Sequence, residues 1–284
     1  MSRFINVLIA LVLISAVALL AYPTVSDQYN RLKYARRIYS YSREMEEIDT
    51  SESEAMLEAA RAYNLGLKGT GIRDAFGGEE GETSELYQSL LNPNGDGVMG
   101  VIEIPAIGVR LPIYHSAEGE SLERGAGHME GTALPVGGEG THCGIAGHRA
   151  LPSARIFTDL DQLKPGDVVY LMVLNNLLVY EVDETLVVLP HETESMAAVP
   201  GEDLLTLVTC TPYGVNTHRL LVRCRRATLE NVAALLSEKD GVTEANKYQG
   251  ALVCAAPVAA IGLALMLLIR PKKRYGLNKP GKNK

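Results

Sequence analysis

Residues 204–214 read LLTLVTCTPYG and residues 216–223 read NTHRLLVR, and these two stretches decide the fold. The apolar run before Cys210 is typical of a buried strand, and Pro212 and Gly214 then force a turn. The alternation in residues 216–223 predicts a strand that returns beside the first. That return brings the cation Arg219 towards Cys210, and a nearby positive charge favours the reactive thiolate. The alternative is a buried structural cysteine beside an ordinary surface arginine.

The residues upstream predict a domain made mainly of short strands. Apolar or alternating runs bounded by turn residues occur at 98–104, 109–115, 141–146, 168–174, 177–182 and 184–189. Asn175-Asn176 is predicted to be the two-residue turn of a hairpin. Short helices are predicted at 156–163 and 229–236. The pattern indicates a closed or sandwiched β domain.

Two apolar stretches are long enough to cross a membrane. Residues 4–21 and 251–269 each provide about 18 to 19 residues, and about 20 apolar residues span a bilayer as a helix. A cleaved signal peptide is the alternative for the first stretch, and a buried core helix for the second. Arg3 precedes the first and the basic run 270–274 follows the second, so both termini are predicted to be cytoplasmic.

Charge separates the middle of the chain from its ends. All 34 acidic residues but only 19 of the 27 basic ones lie between the two apolar stretches, which gives this region a net charge of −15. We therefore expect an acidic domain outside the membrane, and such a charge argues against nucleic acid as a partner.

The segments of the chain are predicted to have distinct characters. Residues 69–81 are rich in glycine and charge and predict a mobile loop in which Asp74 and Phe76 stand out, with a solvated linker as the alternative.

Residues 92–103 fit a calcium-loop spacing, but a strand-like run follows them instead of a helix, so we expect no metal site and no cofactor.

The predicted segments are 1–22 (anchor or signal), 23–68 (helical), 69–81 (lid loop), 82–228 (β domain), 229–250 (linker helix), 251–269 (second span) and 270–284 (basic tail).

One of the six histidines is placed to act with Cys210. His148 follows the predicted strand 141–146 directly, between the small residue Gly147 and Arg149. A histidine at a strand end can meet a cysteine at another strand end as acid and base. The remaining histidines have ordinary loop or surface explanations.

These motifs resemble those of the sortases. The residues concerned are Gly147-His148-Arg149, the run TLVTC at 206–210, and His218-Arg219. A wider resemblance is to the class C branch, which builds pili in Gram-positive bacteria. It rests on IEIP at 102–105, LPIYH at 111–115, GH at 127–128, LPVGG at 134–138 and CTPYG at 210–214.

The resemblance implies a closed eight-stranded β-barrel and a membrane-anchored cysteine transpeptidase. Cys210 would cleave an LPXTG-type sorting signal between Thr and Gly, His148 would act as acid and base, and Arg219 would stabilise the oxyanion or the bound signal. The acyl group would pass to a lysine of the next pilin subunit. Asp74 and Phe76 would form a lid, with Asp74 paired to Arg219 and Phe76 over Cys210.

The sequence departs from the family pattern at two places. The class C lid reads Asp-Pro-aromatic, whereas here Ala75 replaces the proline, and Cys143 and Cys224 are additional thiols that we expect to be reduced and in the core. Three alternatives to a pilus enzyme stay open. They are a housekeeping sortase that anchors proteins to peptidoglycan, a hydrolytic cysteine protease, and a redox or adhesion module that uses Cys143 or Cys224.

Overall fold

The computed structural model describes residues 2–67, 71–77, 84–117 and 119–227. Its helices are α1 (Ser2–Glu47), α2 (Thr50–Gly66), α3 (Glu85–Ser89) and α4 (Glu120–Arg124). Its strands are β1 (Val98–Ile104), β2 (Val109–Tyr114), β3 (Ala126–His128), β4 (Thr141–Ala146), β5 (Val168–Val173), β6 (Asn176–Val188), β7 (Asp203–Thr211) and β8 (His218–Arg226).

The eight strands close into a barrel in the order β1-β2-β3-β4-β7-β8-β6-β5. The pairs β2–β3 and β4–β7 are parallel, and the other neighbours are antiparallel. The parallel pairs place the ends of strands that are distant in sequence at the same rim of the barrel. The predicted fold class, a mainly β closed barrel of eight strands with helices before it, is confirmed.

Alternate side chains of the strands point into and out of the barrel, and two apolar clusters result. We call the larger one the interior core; it includes Ile102, Ile145, Leu171, Leu207 and Val222, all fully buried. We call the smaller one the satellite cluster, and it lies apart from the interior core. It contains Ala75, Ala117, Leu122, Met129, Ala146, Met196, Val208 and Leu221, with Ile72, Phe76, Leu186 and Val188 packed against it.

Helix α1 packs one face on the interior core. Tyr34, Ile38, Tyr41 and Met45 recur every three or four residues and are all buried. The Tyr41 hydroxyl donates to the Met99 carbonyl at 3.2 Å and accepts the Leu174 N–H at 2.7 Å. These bonds join the helix to two places in the β domain. Helix α2 begins at Thr50, because the Asp49 side chain caps it by accepting the Ser51 N–H.

The N-terminal part of α1 is long and apolar enough to span a membrane, a test that signal sequences also pass. No other helix of the described residues qualifies. The residues before Pro23 fall in a different compact unit from the rest of the described chain. The predicted linker helix 229–250, second span 251–269 and basic tail 270–284 lie outside the described residues.

Several local predictions are wrong. The hairpin turn is Leu174-Asn175, one residue earlier than predicted, because Val173 pairs with Asn176. Leu174 adopts φ 51° there, a conformation held by burial of its side chain and by the Tyr41 hydroxyl. The two strands predicted at 177–182 and 184–189 are one strand, β6, with a register shift between Val182 and Glu184. Of the helix predicted at 156–163, a single 3-10 turn remains, Leu160–Gln162.

Candidate active site

The hairpin of β7 and β8 sets Cys210 directly opposite Arg219. The two residues are partners in the antiparallel register, and the pair Thr211 and His218 ends it. The turn beyond is closed by the Pro212 carbonyl, which accepts the N–H groups of Val215 and Asn216 at 3.0 Å. The pairing that the opening stretch of sequence predicts is therefore present.

Cys210 and Arg219 share the outer face of the barrel. In β7, Leu207 belongs to the interior core and Val208 to the satellite cluster, so Cys210, two residues after Val208, lies on the outer side. The same parity holds in β8, where Leu221 of the satellite cluster lies two residues after Arg219. Both side chains project beside the satellite cluster.

His148 reaches the same rim through the parallel pair β4–β7. Ala146 is level with Val208, and the Gly147 N–H continues the ladder by donating to the Val208 carbonyl at 3.0 Å. The Thr209 hydroxyl donates to the Gly147 carbonyl at 2.6 Å. His148 and Cys210 each lie two residues beyond the Ala146–Val208 pair, so adjacent strands deliver them to one place.

Gly147 must be a glycine for packing reasons. A Cβ atom built on it would lie 2.7 Å from Cδ2 of Phe157, which is fully buried. The Phe157 N–H donates to the His148 carbonyl at 3.0 Å. The close approach of this aromatic ring fixes the backbone that carries His148.

The thiol and the imidazole are both neutral near pH 7 in this conformation. Burial raises the pKa of Cys210, Arg219 lowers it, and Asp74 raises it again, with a net upward shift. Burial lowers the pKa of His148, although Glu123 opposes that shift. Since Cys210 is only 6% exposed, the site as it stands holds a protonated, covered thiol.

Four of the five N–H groups of the Arg219 guanidinium donate hydrogen bonds. Nε and Nη2 donate to the two oxygens of Asp74 at 2.7 and 2.6 Å. Nη1 donates to the carbonyls of Asn216 and His218, both at 3.0 Å. The Nε–Nη2 edge can bind another anion in the same bidentate manner only when Asp74 leaves.

Asp74 belongs to residues 71–77, which we call the lid segment. The Gly77 N–H donates to the Asp74 carbonyl at 3.3 Å and closes a four-residue turn with Ala75 and Phe76 at its centre. The Phe76 ring centre lies 5.7 Å from that of His148 and 5.2 Å from Cζ of Arg219. The sequence predicts that Phe76 lies over Cys210. In the structure, the Phe76 ring contacts the His148 ring and the Arg219 guanidinium.

Arg149 is a half-buried cation whose partners sequence reasoning missed. Its Nη1 donates to the Thr211 hydroxyl at 3.1 Å, Nε donates to the Thr158 carbonyl at 3.2 Å, and Nη2 pairs with Asp161 at 2.6 Å. One side chain thus ties the residue after His148 to the residue after Cys210. The position of Arg149 next to His148 is visible in the sequence, but residue spacing does not predict which side chains it binds.

The other two thiols of the described chain are buried on the inner face. Cys143 and Cys224 are 3% and 0% exposed, and burial raises the pKa of each far above its usual range. Both pair with Leu205, one on each side of β7, so two strand spacings of about 4.8 Å separate them. This exceeds the reach of a disulfide, and both thiols are free. The thiols predicted to be reduced core residues are confirmed as such.

Three further histidines are buried in structural hydrogen bonds. His128 contacts the Tyr87 hydroxyl at 2.8 Å, and burial lowers its pKa to about 4. His142 contacts the Thr206 hydroxyl at 2.7 Å, and both ring nitrogens of His115 face backbone carbonyls. In the part of the chain that the structure covers, no group of three or more His, Cys, Asp or Glu side chains is arranged to hold a metal ion.

The sequence of this chain is similar to those of known proteins. A family model described as the sortase domain matches residues 102–227. Sortase A of Streptococcus agalactiae serotype III is 30% identical over 152 residues, which are 52% of this chain and 59% of that protein. Sortase D of Bacillus subtilis is 25% identical over 159 residues, covering 55% of this chain and 77% of that protein. The match thus spans less than two thirds of the first of these relatives.

Solved structures are more similar and are covered almost completely. Sortase C of Streptococcus pneumoniae is 40% identical with a TM-score of 0.61, and the match covers 68% of this chain and 97% of that one. Sortase C-1 of Actinomyces oris is 44% identical with a TM-score of 0.60, over 62% of this chain and 99% of that one. A sortase A from Corynebacterium diphtheriae is also 40% identical with a TM-score of 0.61, over 69% of this chain and 95% of that one.

Proposed function

We propose, from the premise that this chain belongs to the sortase family, that it is a cysteine transpeptidase which joins pilin subunits. It would cleave an LPXTG-type sorting signal between Thr and Gly and transfer the acyl group to a pilin lysine. The observation that carries the proposal is the register that sets Cys210 opposite Arg219, together with the parallel pair of Ala146 and Val208, which lie two residues before His148 and Cys210. The substrate class rests on the similarity to class C enzymes, among them the pneumococcal sortase C described in connection with pilin substrate specificity.

The first half-reaction would form a thioester. His148 would take the Cys210 proton, and the thiolate would attack the carbonyl carbon of the signal threonine. The C–N bond to glycine would break, and His148 would return its proton to the departing glycine amine. Burial favours a protonated Cys210 thiol and a neutral His148 imidazole in the resting site. The thiol therefore carries the proton that this step moves, and the imidazole can accept it.

The second half-reaction would release the thiol. The ε-amine of a pilin lysine would attack the thioester carbonyl, and the C–S bond would break as an isopeptide bond forms. His148 would accept the proton that the amine loses, and the proton would return to Cys210. No oxidant or reductant is required, because one acyl bond replaces another at each step.

Arg219 would stabilise the oxyanion or hold the backbone of the signal. A preorganised cation at such a position is worth on the order of 10²–10³ in rate. Asp74 occupies the donors that this role requires, and Phe76 lies on His148. We therefore assign Asp74 and Phe76 to a lid that must leave before the signal binds.

The proposed setting is the outer face of a cell membrane. The apolar start of α1 would anchor the chain, 251–269 would form a second span, and both termini would be cytoplasmic. The segments proposed on sequence grounds, with the catalytic domain at 82–228, fit this arrangement. The partners would be the lipid bilayer and pilins that carry sorting signals and acceptor lysines.

A mixture of sorting-signal peptide, lysine donor and peptidoglycan-type amine would test the proposal on the full chain in detergent. We expect mass spectrometry to find the peptide cut after Thr and joined to the lysine donor. Cys210→Ala should abolish both products while unfolding at nearly the same temperature. Cys224→Ala, which also removes a thiol, should keep the activity.

The other outcomes separate the competing functions. Joining to the peptidoglycan-type amine alone would identify a housekeeping enzyme, and hydrolysis that no amine intercepts would identify a protease. If Cys210→Ala retained joining, Cys210 would not be the nucleophile. A redox role for Cys143 or Cys224 is already disfavoured by their burial.

A further inference from the structure

A cleft lined by cations lies between α1 and the β domain. It has a volume of about 830 Å³, and its positive groups are Lys33, Arg36 and Arg37 from α1 and Arg124 from α4. Glu123 is the single carboxylate among its lining residues. Four cations against one anion give the cleft a local charge opposite to that of the acidic domain around it.

Among the described residues, three of the four cations have no ion-pair partner. Arg37 pairs with Asp96 at 2.7 Å. Within the described ranges, Lys33, Arg36 and Arg124 form no ion pair. Lys33 lies 4.7 Å from the Tyr29 ring centre and Arg124 lies 4.7 Å from that of Tyr114, contacts that leave the charges uncompensated. The cleft therefore has the electrostatics of an anion site.

Tyr34, which also lines the cleft, supplies a second and independent sign of a ligand. Its side chain is 6% exposed, and among the described residues its hydroxyl is a buried polar atom without a hydrogen-bond partner. Burial, with Asp27 second, raises the pKa of this phenol to about 12, so it remains a donor at neutral pH. Buried donors in proteins almost always have an acceptor, and here the described residues provide none.

The sequence around the cleft indicates where the anion comes from. Residues 22–43 contain five basic side chains and only one acidic, although the region between the apolar stretches has a net charge of −15. They follow directly on the apolar stretch that ends at Ala21. Tyr22, Tyr29 and Tyr39 are more than half exposed on the same helix, and exposed tyrosines with cations are typical of segments at lipid head groups.

We propose that this cleft binds the phosphate of an anionic phospholipid head group. Lys33, Arg36 and Arg124 would pair with the phosphate oxygens, and the Tyr34 hydroxyl would donate to one of them. The inference rests on the membrane anchorage proposed above and not on the peptidase chemistry. It assigns the helix after the anchor a role as a lipid receptor.

Native mass spectrometry of the full chain, released from non-ionic detergent, tests the proposal. Micelles doped with phosphatidylglycerol should leave one lipid bound, and micelles doped with phosphatidylcholine should leave none. The double variant Lys33→Gln/Arg36→Gln should lower the affinity for phosphatidylglycerol on the order of tenfold or more, since each cation near a lipid surface contributes severalfold. Tyr34→Phe should lower it severalfold while leaving the unfolding temperature close to that of the wild type.

A matched double variant separates a site from general attraction. Arg31 and Arg43 lie exposed on the same helix outside the cleft, so Arg31→Gln/Arg43→Gln removes the same charge. It should leave lipid binding intact. Equal losses in both double variants would overturn the proposal, and so would an unchanged affinity in Lys33→Gln/Arg36→Gln.

Inorganic phosphate and peptide cleavage complete the test. Displacement of the lipid by inorganic phosphate at low millimolar concentration would identify a free phosphate site and overturn the lipid assignment. Cleavage of the sorting-signal peptide in detergent should be the same in all these variants and the wild type. If lipid binding followed the prediction but no variant cleaved the peptide, the proposed function would fail while the lipid site stood.

Discussion

The interior core and the satellite cluster are built from the same strands, and they differ in what closes them. The interior core is closed by the barrel strands together with helix α1, and residues such as Phe157 and Leu207 have no exposed surface. The satellite cluster is closed by Ile72, Ala75 and Phe76 of the lid segment. Burial in the first is a property of the fold, whereas burial in the second depends on one short segment staying in place.

Strand parity connects this difference to the chemistry. Cys143 and Cys224 point into the interior core and Cys210 points to the side of the satellite cluster. Two thiols are thus enclosed in the core, and the third lies beside the cluster that the lid segment packs against. We expect the two regions to differ in stability, in activity and in the reactivity of this thiol.

The largest effect is expected from the same substitution made in each region. Phe157→Ala empties a fully buried position and should cost about 3–5 kcal/mol of unfolding free energy. Phe76→Ala removes a partly buried lid side chain and should cost about 1 kcal/mol or less. Denaturant unfolding of both variants measures the difference. Equal losses would show that the lid segment is as integral to the fold as the core.

Substitutions at two neighbouring residues of β8, Leu220 and Arg219, should affect stability and activity separately. Leu220→Ala alters the interior core and should destabilise the protein by about 2–5 kcal/mol. Arg219→Lys keeps the charge but loses the planar fork, and we expect transpeptidation to fall about 10²–10³-fold, nearly as far as in Arg219→Ala. Initial rates of transpeptidation, measured on the folded variants, test this expectation. Near-normal rates in Arg219→Lys would mean that Arg219 acts only as a point charge.

The lid segment should control the pKa of Cys210. Burial and then Asp74 raise that pKa while Arg219 lowers it, so removing Asp74 should lower it through lost repulsion and through easier opening. Asp74→Ala should therefore shift the pH profile of iodoacetamide alkylation to lower pH. At a pH below the pKa, the rate should rise, because a larger fraction of the thiol is ionised.

Two variants serve as controls for that shift. Asp27→Ala removes a carboxylate paired on α1 and should leave the alkylation profile of Cys210 unchanged. Phe76→Ala should raise the alkylation rate through access alone, with a smaller change in pKa. If neither lid variant altered the reactivity of Cys210, residues 71–77 would be a linker and no lid.

The smallest expected effect comes from tightening the lid. Asp74, Ala75 and Gly77 occupy the first, second and fourth positions of a turn, and proline is favoured at the second. Among the described residues, the Ala75 N–H donates no backbone hydrogen bond that proline would remove. Ala75→Pro should stabilise the closed lid by about 0.4–1 kcal/mol and slow alkylation about two- to fivefold. Faster alkylation would mean that the ring does not fit this buried position.

Local sequence predicted the features that depend on neighbouring residues. The bounds of β1 and β4 match the predicted strands, and α2 lies within the segment 23–68 that is predicted to be helical. The pair of Cys210 and Arg219 followed from a hairpin. The ion pair of Asp74 with Arg219 followed from the resemblance, and it is present in the structure.

The features that sequence missed depend on distant residues. β3 has only three residues and carries too little periodicity to be recognised. The turn at Leu174 is held by the Tyr41 hydroxyl, 133 positions away, and no local signal specifies it. The bond from Arg149 to Thr211 spans 62 positions. In each case tertiary contacts override local preference.

The parallel pairing of β4 with β7 has a consequence for the order in which the site is assembled during folding. The β7–β8 hairpin is a local structure, so Cys210 and Arg219 can meet early. The bond between Thr209 and Gly147 joins residues 62 positions apart and must await loop closure, which makes such contacts slow to form. In a chain that folds in this order, Cys210 would lie beside Arg219 before His148 joined them, so the candidate site would be completed only when the barrel closes.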